Sequence, residues 1–337
     1  MRNLFLAAVA AAGLAACSLV AGDPLDEARA AYDRQDYPAA RTGAQAALAQ
    51  DADGPGALEL LARVQVATGQ GQAALATLAR LDDARALPAD ANLLRAEALL
   101  QTGEVEAARA ALTGQRSAEA WRLRALAAAR QGDDAAVKAA FRNGHGAEGD
   151  KLRLYTLEAT WHLDRGDAEG ARRAVGEVQR LAPEAVETLF VSARFANLLG
   201  EHELAARAYM AILERNPSDR PALLGAIASA RNLGRMDIAA PLVARGSAAW
   251  PGDIAFVYHT ALLDADAGRW PAVRERLQRS ERAVIDFAPA RLLYGQAMLE
   301  LGQVEQARSM VQPLAEAYPD NAEYRATLAR IDGAARG

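Results

Sequence analysis

Residues 186–219 read VETLFVSARFANLLGEHELAARAYMAILERNPSD, and this stretch is the unit from which most of the chain is built. Gly200 marks its centre. A glycine recurs at the equivalent place at Gly69, Gly103, Gly132, Gly166, Gly234, Gly268 and Gly302, and Gln35 takes that place in the first unit. Every step equals the length of the quoted stretch, except the step from Gly103 to Gly132, which is shorter. A fixed period of about 34 residues predicts a solenoid, in which each repeat buries its apolar face only against its neighbours.

Three other positions keep the register of the glycine. Five residues after it lies a small or β-branched side chain: Ala40, Ala74, Ala108, Val137, Ala171, Ala205, Ala239, Val273 and Ala307. Seven residues before it lie Ala28, Ala62, Ala96, Ala125, Ala159, Ala193, Ile227, Ala261 and Gly295. Nine residues after it lie the larger Leu78, Leu112, Phe141, Val175, Tyr209, Val243, Leu277 and Val311. Small side chains at two fixed points predict a close crossing of two helices, and the larger side chain should fill the gap between repeats.

Proline marks the end of the repeat in several copies: Pro183, Pro217, Pro251 and Pro319. Proline cannot extend a helix and biases the preceding residue away from the helical region, so each should stop a second helix. The whole pattern resembles that of the tetratricopeptide repeat family. The resemblance is closest in the units that end at Asp219 and Asp253, through Leu199-Gly200, Ala205, Tyr209 and Pro217.

The resemblance covers roughly residues 21–321, which is nine units. The sequence departs from the family pattern in two ways. The bulky aromatic residue usual near the start of the first helix appears only as Trp121 and Tyr155, and the first unit lacks its glycine. The resemblance implies an all-α fold, an α-solenoid in the form of a right-handed superhelix of about nine helical hairpins, with residues 322–336 as a capping helix.

Composition independently favours helices. The chain has 337 residues, of which 51% are hydrophobic and only 5% aromatic. Much of the apolar fraction is alanine, which has the best intrinsic helix propensity, and no segment alternates apolar and polar residues long enough to predict a sheet. The net charge is −5, and the arginines are interspersed with Asp and Glu, so we expect no nucleic-acid partner.

The start of the chain resembles a bacterial lipoprotein signal. Met1-Arg2-Asn3 is a short positive segment, and residues 4–16 form an apolar run too short to span a bilayer. The run ends in Leu14-Ala15-Ala16-Cys17, which resembles a lipobox and contains the only cysteine. The resemblance implies cleavage before Cys17, lipid on Cys17 and, because Ser18 rather than Asp follows, an outer-membrane location facing the periplasm. The alternative is an ordinary signal peptide.

We therefore divide the chain into a signal peptide at 1–16, a lipidated N-terminus and short tether at 17–24, an N-terminal array at 25–151, a regular C-terminal array at 152–321, and a capping helix and tail at 322–337. The shortened third unit and the glycine-rich RNGHGAEGD segment predict irregular junctions near 113–120 and 142–150. Either these segments form a hinge between two arrays, or the deletion is absorbed locally. The sequence leaves both alternatives open.

Little in the sequence predicts catalysis. Residues 144–149, GHGAEG, have the glycine spacing of a dinucleotide-binding loop, but such a loop follows a strand and here a helix precedes it. The histidines, His145, His162, His202 and His259, lie on different repeats without the spacing of a metal site. We expect no enzyme activity, cofactor, metal or small-molecule substrate. An enzyme or nucleotide binder acting through Gly144–Gly149 is the alternative of another class.

The surface is the remaining candidate for function. In the family that the chain resembles, the first helices of successive repeats line a concave face that holds peptides. In this sequence that face would carry an apolar series at the repeat interval, Phe190, Leu224, Tyr258 and Leu292, with Arg194, Asn197, Arg231, Asn232 and Asp266 beside it. An exposed series should bind a peptide by apolar anchors with polar flanks. The alternative is that the series is partly buried packing between helices.

The resemblance implies a non-enzymatic scaffold that is held at the bacterial cell envelope by lipid on Cys17 and binds protein or peptide partners. Tetratricopeptide lipoproteins that resemble this chain serve in the assembly of pili, secretion machines or polysaccharide export. An adaptor that positions a peptidoglycan-active enzyme is the alternative within the same class.

Overall fold

The computed structural model describes residues 23–336, so the predicted signal peptide at 1–16, the lipidation site Cys17 and most of the tether lie outside the described residues. The described residues form twenty α-helices and no strand. The helices are α1 (Pro24–Asp33), α2 (Tyr37–Gln50), α3 (Pro55–Ala67), α4 (Gly71–Asp83), α5 (Ala91–Thr102), α6 (Val105–Ala111), α7 (Ala118–Arg130), α8 (Asp134–His145), α9 (Leu152–Asp164), α10 (Ala168–Leu181), α11 (Val186–Leu198), α12 (His202–Arg215), α13 (Arg220–Asn232), α14 (Met236–Ala249), α15 (Ile254–Asp266), α16 (Trp270–Gln278), α17 (Glu281–Asp286), α18 (Ala288–Glu300), α19 (Val304–Ala317) and α20 (Ala322–Ala334). The predicted all-α fold of stacked helical hairpins is confirmed. Within residues 23–336, no helix is both long enough and apolar enough to cross a membrane.

A tight turn joins the two helices of a hairpin, and its backbone explains the repeated glycine. Gly200 has a φ of +76°, and the other seven repeat glycines have φ values between +67° and +88°. In this left-handed region a Cβ atom crowds the backbone, and glycine avoids the conflict. Gln35 adopts a φ of +62° at the equivalent place, so the first repeat makes the same turn with an unfavourable residue.

The register positions on either side of the turn form the interior. Every side chain five residues after the turn, from Ala40 to Ala307, is 0% exposed. The larger side chains nine residues after the turn, from Leu78 to Val311, are at most 3% exposed. The two helices of a hairpin therefore cross at small residues, and a larger aliphatic or aromatic side chain packs between each hairpin and the next.

Two repeats depart from a plain helical hairpin. In the third repeat, where the sequence is shortened, the second helix α6 has only seven residues. In the eighth repeat, the second half is split into α16 and α17, so the prediction of one continuous second helix there is wrong. The backbone leaves the helical region at Ser280, which has a φ of −118° and a ψ of 24°. This repeat has Ile285 where others have the terminating proline, so a further helical turn forms before α18.

Hydrogen bonds connect the two irregular segments of the sequence, near residues 113–120 and 142–150. The guanidinium Nη2 of Arg124 donates to the carbonyl oxygens of Leu112, at 2.6 Å, and Gln115, at 2.7 Å. The backbone N–H of Ala118 donates to the carbonyl oxygen of Glu148, at 2.8 Å. The shortened linker after α6 is thus held by α7 on one side and by the segment after α8 on the other.

The chain divides into two compact units between Leu154 and Tyr155, within α9. The N-terminal unit has apolar cores around Ala44, Leu78 and Leu123, and the C-terminal unit has cores around Phe256 and Leu293. The division predicted from the sequence lies between residues 151 and 152, at the start of the same helix. The hinge suggested for residues 113–150 stays a prediction.

Candidate partner-binding groove

The first helices of the hairpins line the inner face within each unit. In the C-terminal unit, α11 packs against α13, and α18 packs against both α15 and α20. The second helices α12, α14, α16 and α19 each pack between consecutive first helices. In the N-terminal unit, burial raises the pKa of Tyr32 in α1, and the charges of Arg63 in α3, Arg153 in α9 and Glu97 in α5 act on the same hydroxyl. Tyr32 of α1 and Arg63 of α3 also line one cleft, so side chains of successive first helices share a face.

The structure places the predicted apolar series on successive first helices of the C-terminal unit. Phe190, Leu224 and Tyr258, on α11, α13 and α15, are half-buried. The ring of Phe190 meets the ring of Tyr209 edge-on, with centroids 5.9 Å apart. Leu292 on α18 is only 5% exposed and belongs to the core. Three members of the series thus offer apolar surface to the inner face, and the fourth packs between helices.

The predicted polar residues connect neighbouring first helices. Arg194 on α11 pairs with Asp164 on α9, with 2.6 Å between nitrogen and oxygen. Arg231 on α13 pairs in the same way with Asp266 on α15, at 2.8 Å. Exposed ion pairs of this kind contribute roughly 0–1 kcal/mol, so a partner can replace one at little free-energy cost. Asn232 is exposed at the end of α13.

Asn197 has a different role from the arginines. Its amide nitrogen donates to the hydroxyl of Ser229, at 3.1 Å, and its amide oxygen lies 3.0 Å from the ring nitrogen Nδ1 of His202. These contacts join α11 to α13 and to the start of α12. Asn197 therefore fixes the relative position of helices and presents little free hydrogen-bonding capacity to a partner.

A cleft of about 260 Å³ opens on the inner face at the C-terminal end of this unit. Tyr258 lines it from α15, Leu292 and Gln296 line it from α18, and Glu323 and Tyr324 line it from α20. The repeat pattern predicts α20 only as a cap, and Glu323 and Tyr324 are not among the predicted groove residues. The repeat spacing alone could not have selected them, because α20 has no hairpin partner after it.

The inner face of the N-terminal unit carries charges where that of the C-terminal unit is apolar. Glu59 and Arg122 lie ten residues before their turn glycines, as Phe190 does. Arg63 lies six residues before its turn glycine, as Arg194 does. These charged residues are not among the predicted groove residues, although the register that identifies Phe190 and Arg194 also locates them.

Arg63 joins α3 to the start of α5. Its guanidinium donates to Glu59 at 2.8 Å and to both carboxylate oxygens of Asp90, each at 2.8 Å. Burial disfavours the charge of Arg63, but the hydrogen bonds with Asp90 and Glu59 outweigh that effect and its pKa is raised. The charge is compensated within the protein.

A second network joins α5, α7 and α9. Arg122, with a side chain 8% exposed, lies 2.9 Å from Glu97 and 2.7 Å from Glu119. Arg153 lies 2.7 Å from each of the same two carboxylates. Burial favours the neutral form of Glu119, yet the hydrogen bond and charge of Arg122 prevail and its pKa is lowered. Two arginines and two carboxylates neutralise one another, so this network connects helices and is not an open binding site.

The glycine pattern at 144–149 has a packing role at its first residue. Gly144 lies inside α8, and a Cβ atom built there would be 2.5 Å from a methyl carbon of Leu154. The helix continues to His145, so the first part of the segment 142–150, predicted as an irregular junction, is helical. Among residues 23–336, no group of three or more His, Cys, Asp or Glu side chains is arranged to hold a metal ion.

Comparison with known proteins identifies the repeat. One tetratricopeptide repeat model matches residues 25–86, 60–115 and 156–221, and a second matches residues 266–331. Together the matches cover more than half of the chain. A search of curated protein sequences gave no match.

Solved structures with similar helical arrangements include two examples. A chain of the APC/C hetero-tetramer Cut9-Hcn1 is 12% identical, with a TM-score of 0.41, over 93% of this chain and 85% of that one. A thermophilic tetratricopeptide repeat protein in Thermus thermophilus is 16% identical, with a TM-score of 0.45, over 55% of this chain and all of that one. The register, the turn geometry and the matched repeat models agree, and the chain belongs to the tetratricopeptide repeat family, whose repeats mediate interactions between proteins.

Proposed function

We propose that this protein is a non-catalytic scaffold, anchored by lipid on Cys17 to the outer membrane and facing the periplasm, that binds protein or peptide partners during assembly of an envelope machine. A pilus, a secretion system or a polysaccharide exporter would be such a machine. Proteins of this repeat family are generally non-catalytic scaffolds, which supports the class. The envelope location is supported by the sequence that ends at Cys17.

One observation carries the binding part of the proposal. Phe190, Leu224 and Tyr258 recur on three successive first helices and are all half-buried, so apolar surface is repeated along one inner face. Arg194 and Arg231 lie beside this surface in ion pairs with exposed carboxylates. A partner can place apolar side chains on the series and carboxylates against the arginines, as in helix-in-groove or extended-peptide recognition.

Site-specific photo-crosslinking tests where partners bind. A photoreactive phenylalanine at Asn232, exposed at the end of α13, should crosslink to a partner in intact cells. The same residue at Arg207, exposed on the second helix α12, is the matched control and should not. Equal crosslinking at both positions, or at Arg207 alone, would show that partners do not bind the inner face.

Charge removal provides an independent test of the same face. Arg194→Ala should reduce recovery of the crosslinked partner, because Arg194 lies beside the apolar series. Arg173→Ala removes a comparable surface arginine of α10, which pairs with Glu169 at 2.8 Å, and should leave recovery unchanged. Both replacements should alter the free energy of unfolding by less than about 1 kcal/mol. A difference in partner recovery between the two variants would therefore not result from misfolding.

Fractionation tests the anchor. Cys17→Ser should move the protein from the membrane fraction to the soluble fraction, because stable anchoring requires covalent lipid. Ser18→Ala is the control and should stay with the membrane. A Cys17→Ser protein that still pellets with membranes after a salt wash would contradict lipid anchoring, but it would leave the groove proposal intact.

A further inference from the structure

The cleft at the C-terminal end of the inner face combines apolar side chains with an acidic one. Three helices, α15, α18 and α20, enclose its volume of about 260 Å³, which is room for one long side chain of a partner. Glu323 lines the cleft, and no basic side chain lines it in the part of the chain that the structure describes. Two tyrosines, Tyr258 and Tyr324, present aromatic surface to the same space.

The electrostatic environment of the cleft is negative. Burial raises the pKa of the Tyr258 hydroxyl, the carboxylates of Glu323 and Asp266 raise it further, and the charge of Arg231 opposes them. Arg231 is already paired with Asp266, at 2.8 Å, so these two charges largely cancel. The carboxylate of Glu323 remains, in the first turn of α20.

The aromatic walls are held in place before any partner arrives. Tyr258 meets the ring of Phe287 edge-on, with centroids 5.7 Å apart, and Tyr324 meets Tyr318 at 6.1 Å. The side-chain oxygen of Asn321 accepts hydrogen bonds from the backbone N–H groups of Glu323, at 3.0 Å, and Tyr324, at 3.1 Å. This N-cap fixes the turn that carries both residues, so binding need not order them.

We propose that this cleft binds a lysine or arginine side chain of the partner peptide, with its cation against Glu323 and its methylene stem beside Tyr258 and Leu262. The inference rests on the proposed function, since it names the side chain that the inner face selects. A cation gains from the carboxylate and from the faces of tyrosine rings, while the stem covers apolar surface. An aliphatic side chain would leave the carboxylate without a counter-charge, and an acidic one would be repelled.

Peptide selection on the full-length protein, purified in detergent, tests the proposal. A phage-displayed library of random peptides should yield binders of the wild-type protein with lysine or arginine enriched at one position. Selection on Glu323→Gln should lose that enrichment. Glu305→Gln is the matched control, because Glu305 also lies in the first turn of a helix, α19, but is exposed on a second helix. Its selected peptides should match those of the wild type.

A double-replacement measurement then isolates the contact. In a selected peptide, norleucine in place of the basic residue keeps the stem and removes the charge, and should weaken binding to the wild-type protein about tenfold. The same replacement should have little effect on binding to Glu323→Gln. Equal weakening in both proteins, or selected peptides without a basic position, would overturn the assignment of the cleft while leaving the groove in place. A selection that yields no binding peptide would count against both the groove and the cleft.

Discussion

Replacing Gly246 by alanine gives a sharp test of how closely the hairpins of the C-terminal unit pack. Gly246 lies inside α14, beneath the ring of Phe256 from α15. A Cβ atom at Gly246 would lie 2.1 Å from the nearest ring carbon, where ordinary van der Waals contact begins at 3.4 Å. Phe256 is 0% exposed and packed in the core, so the ring cannot move away without displacing other side chains.

Two effects of opposite sign decide the outcome. Alanine in a helix interior is favoured over glycine by about 1 kcal/mol, which alone would raise the free energy of unfolding. Overpacking of a buried site typically costs about 1–3 kcal/mol, and a displacement of more than about 1 Å at a fully buried ring belongs at the upper end. We therefore expect Gly246→Ala to lower the free energy of unfolding by about 2 kcal/mol.

Gly176→Ala is the matched control. Gly176 lies inside α10, and a Cβ atom built there meets no atom within 4 Å. Only the helix propensity changes, so this variant should be more stable by roughly 0.5–1 kcal/mol. Urea denaturation followed by far-UV circular dichroism measures both. If Gly246→Ala is stabilised as much as Gly176→Ala, then α14 and α15 do not cross as closely as the structure shows.

Three further predictions concern a turn, a buried carboxylate and a buried histidine. Gln35→Gly should raise the free energy of unfolding by roughly 0.5–1 kcal/mol in urea denaturation. Glycine relieves the strain of a φ of +62°, and its greater conformational freedom in the unfolded chain offsets part of that gain. A destabilised variant would contradict this prediction. Asp264→Asn should lower the melting temperature, with a loss of about 1–3 kcal/mol, because the buried carboxylate accepts hydrogen bonds at 2.8–3.1 Å from two arginines. Asp266→Asn, at an exposed position, should change stability by less than about 1 kcal/mol, and equal losses would refute the special role of Asp264. His259 has its pKa lowered to about 4 by burial and by a nearby arginine. The folded protein therefore prefers the neutral His259 ring, and the unfolded chain takes up a proton more readily. The free energy of unfolding is unaffected by this residue above about pH 6.5 and falls by up to about 3 kcal/mol as the pH drops towards 4. An NMR titration of the His259 ring that gives a pKa near 6.5 would remove this account.

The turns and the interior could be predicted from the sequence because both depend on local, repeated constraints. A left-handed turn selects glycine, and Gly200 and its equivalents all have positive φ. A close helix crossing selects small side chains, and Ala193 and Ala205 are both 0% exposed. Each constraint recurs at the same step, so nine weak signals reinforce one another.

The inner face was less predictable because register locates a side chain on a face without fixing its exposure or its partner. Leu292 shares its register with Phe190 but is buried, since α20 covers α18. Arg122 shares that register too and forms ion pairs instead. The exposure of a side chain depends on which helix packs next to it, and its ion pairs depend on side-chain conformations in two neighbouring repeats. The repeat spacing contains no information about either.

The ion-pair network of Arg122, Arg153, Glu97 and Glu119 has a physical reason in the shortened third repeat. A second helix of seven residues, α6, provides less apolar contact between α5 and α7 than a full helix would. Arg122 of α7 binds Glu97 of α5 directly, at 2.9 Å. Buried ion pairs add little net stability compared with apolar packing, but they define one relative position of the helices, because a displaced pair leaves a buried charge without a partner. We therefore attribute to this network the role of fixing the relative position of α5, α7 and α9 where packing is reduced.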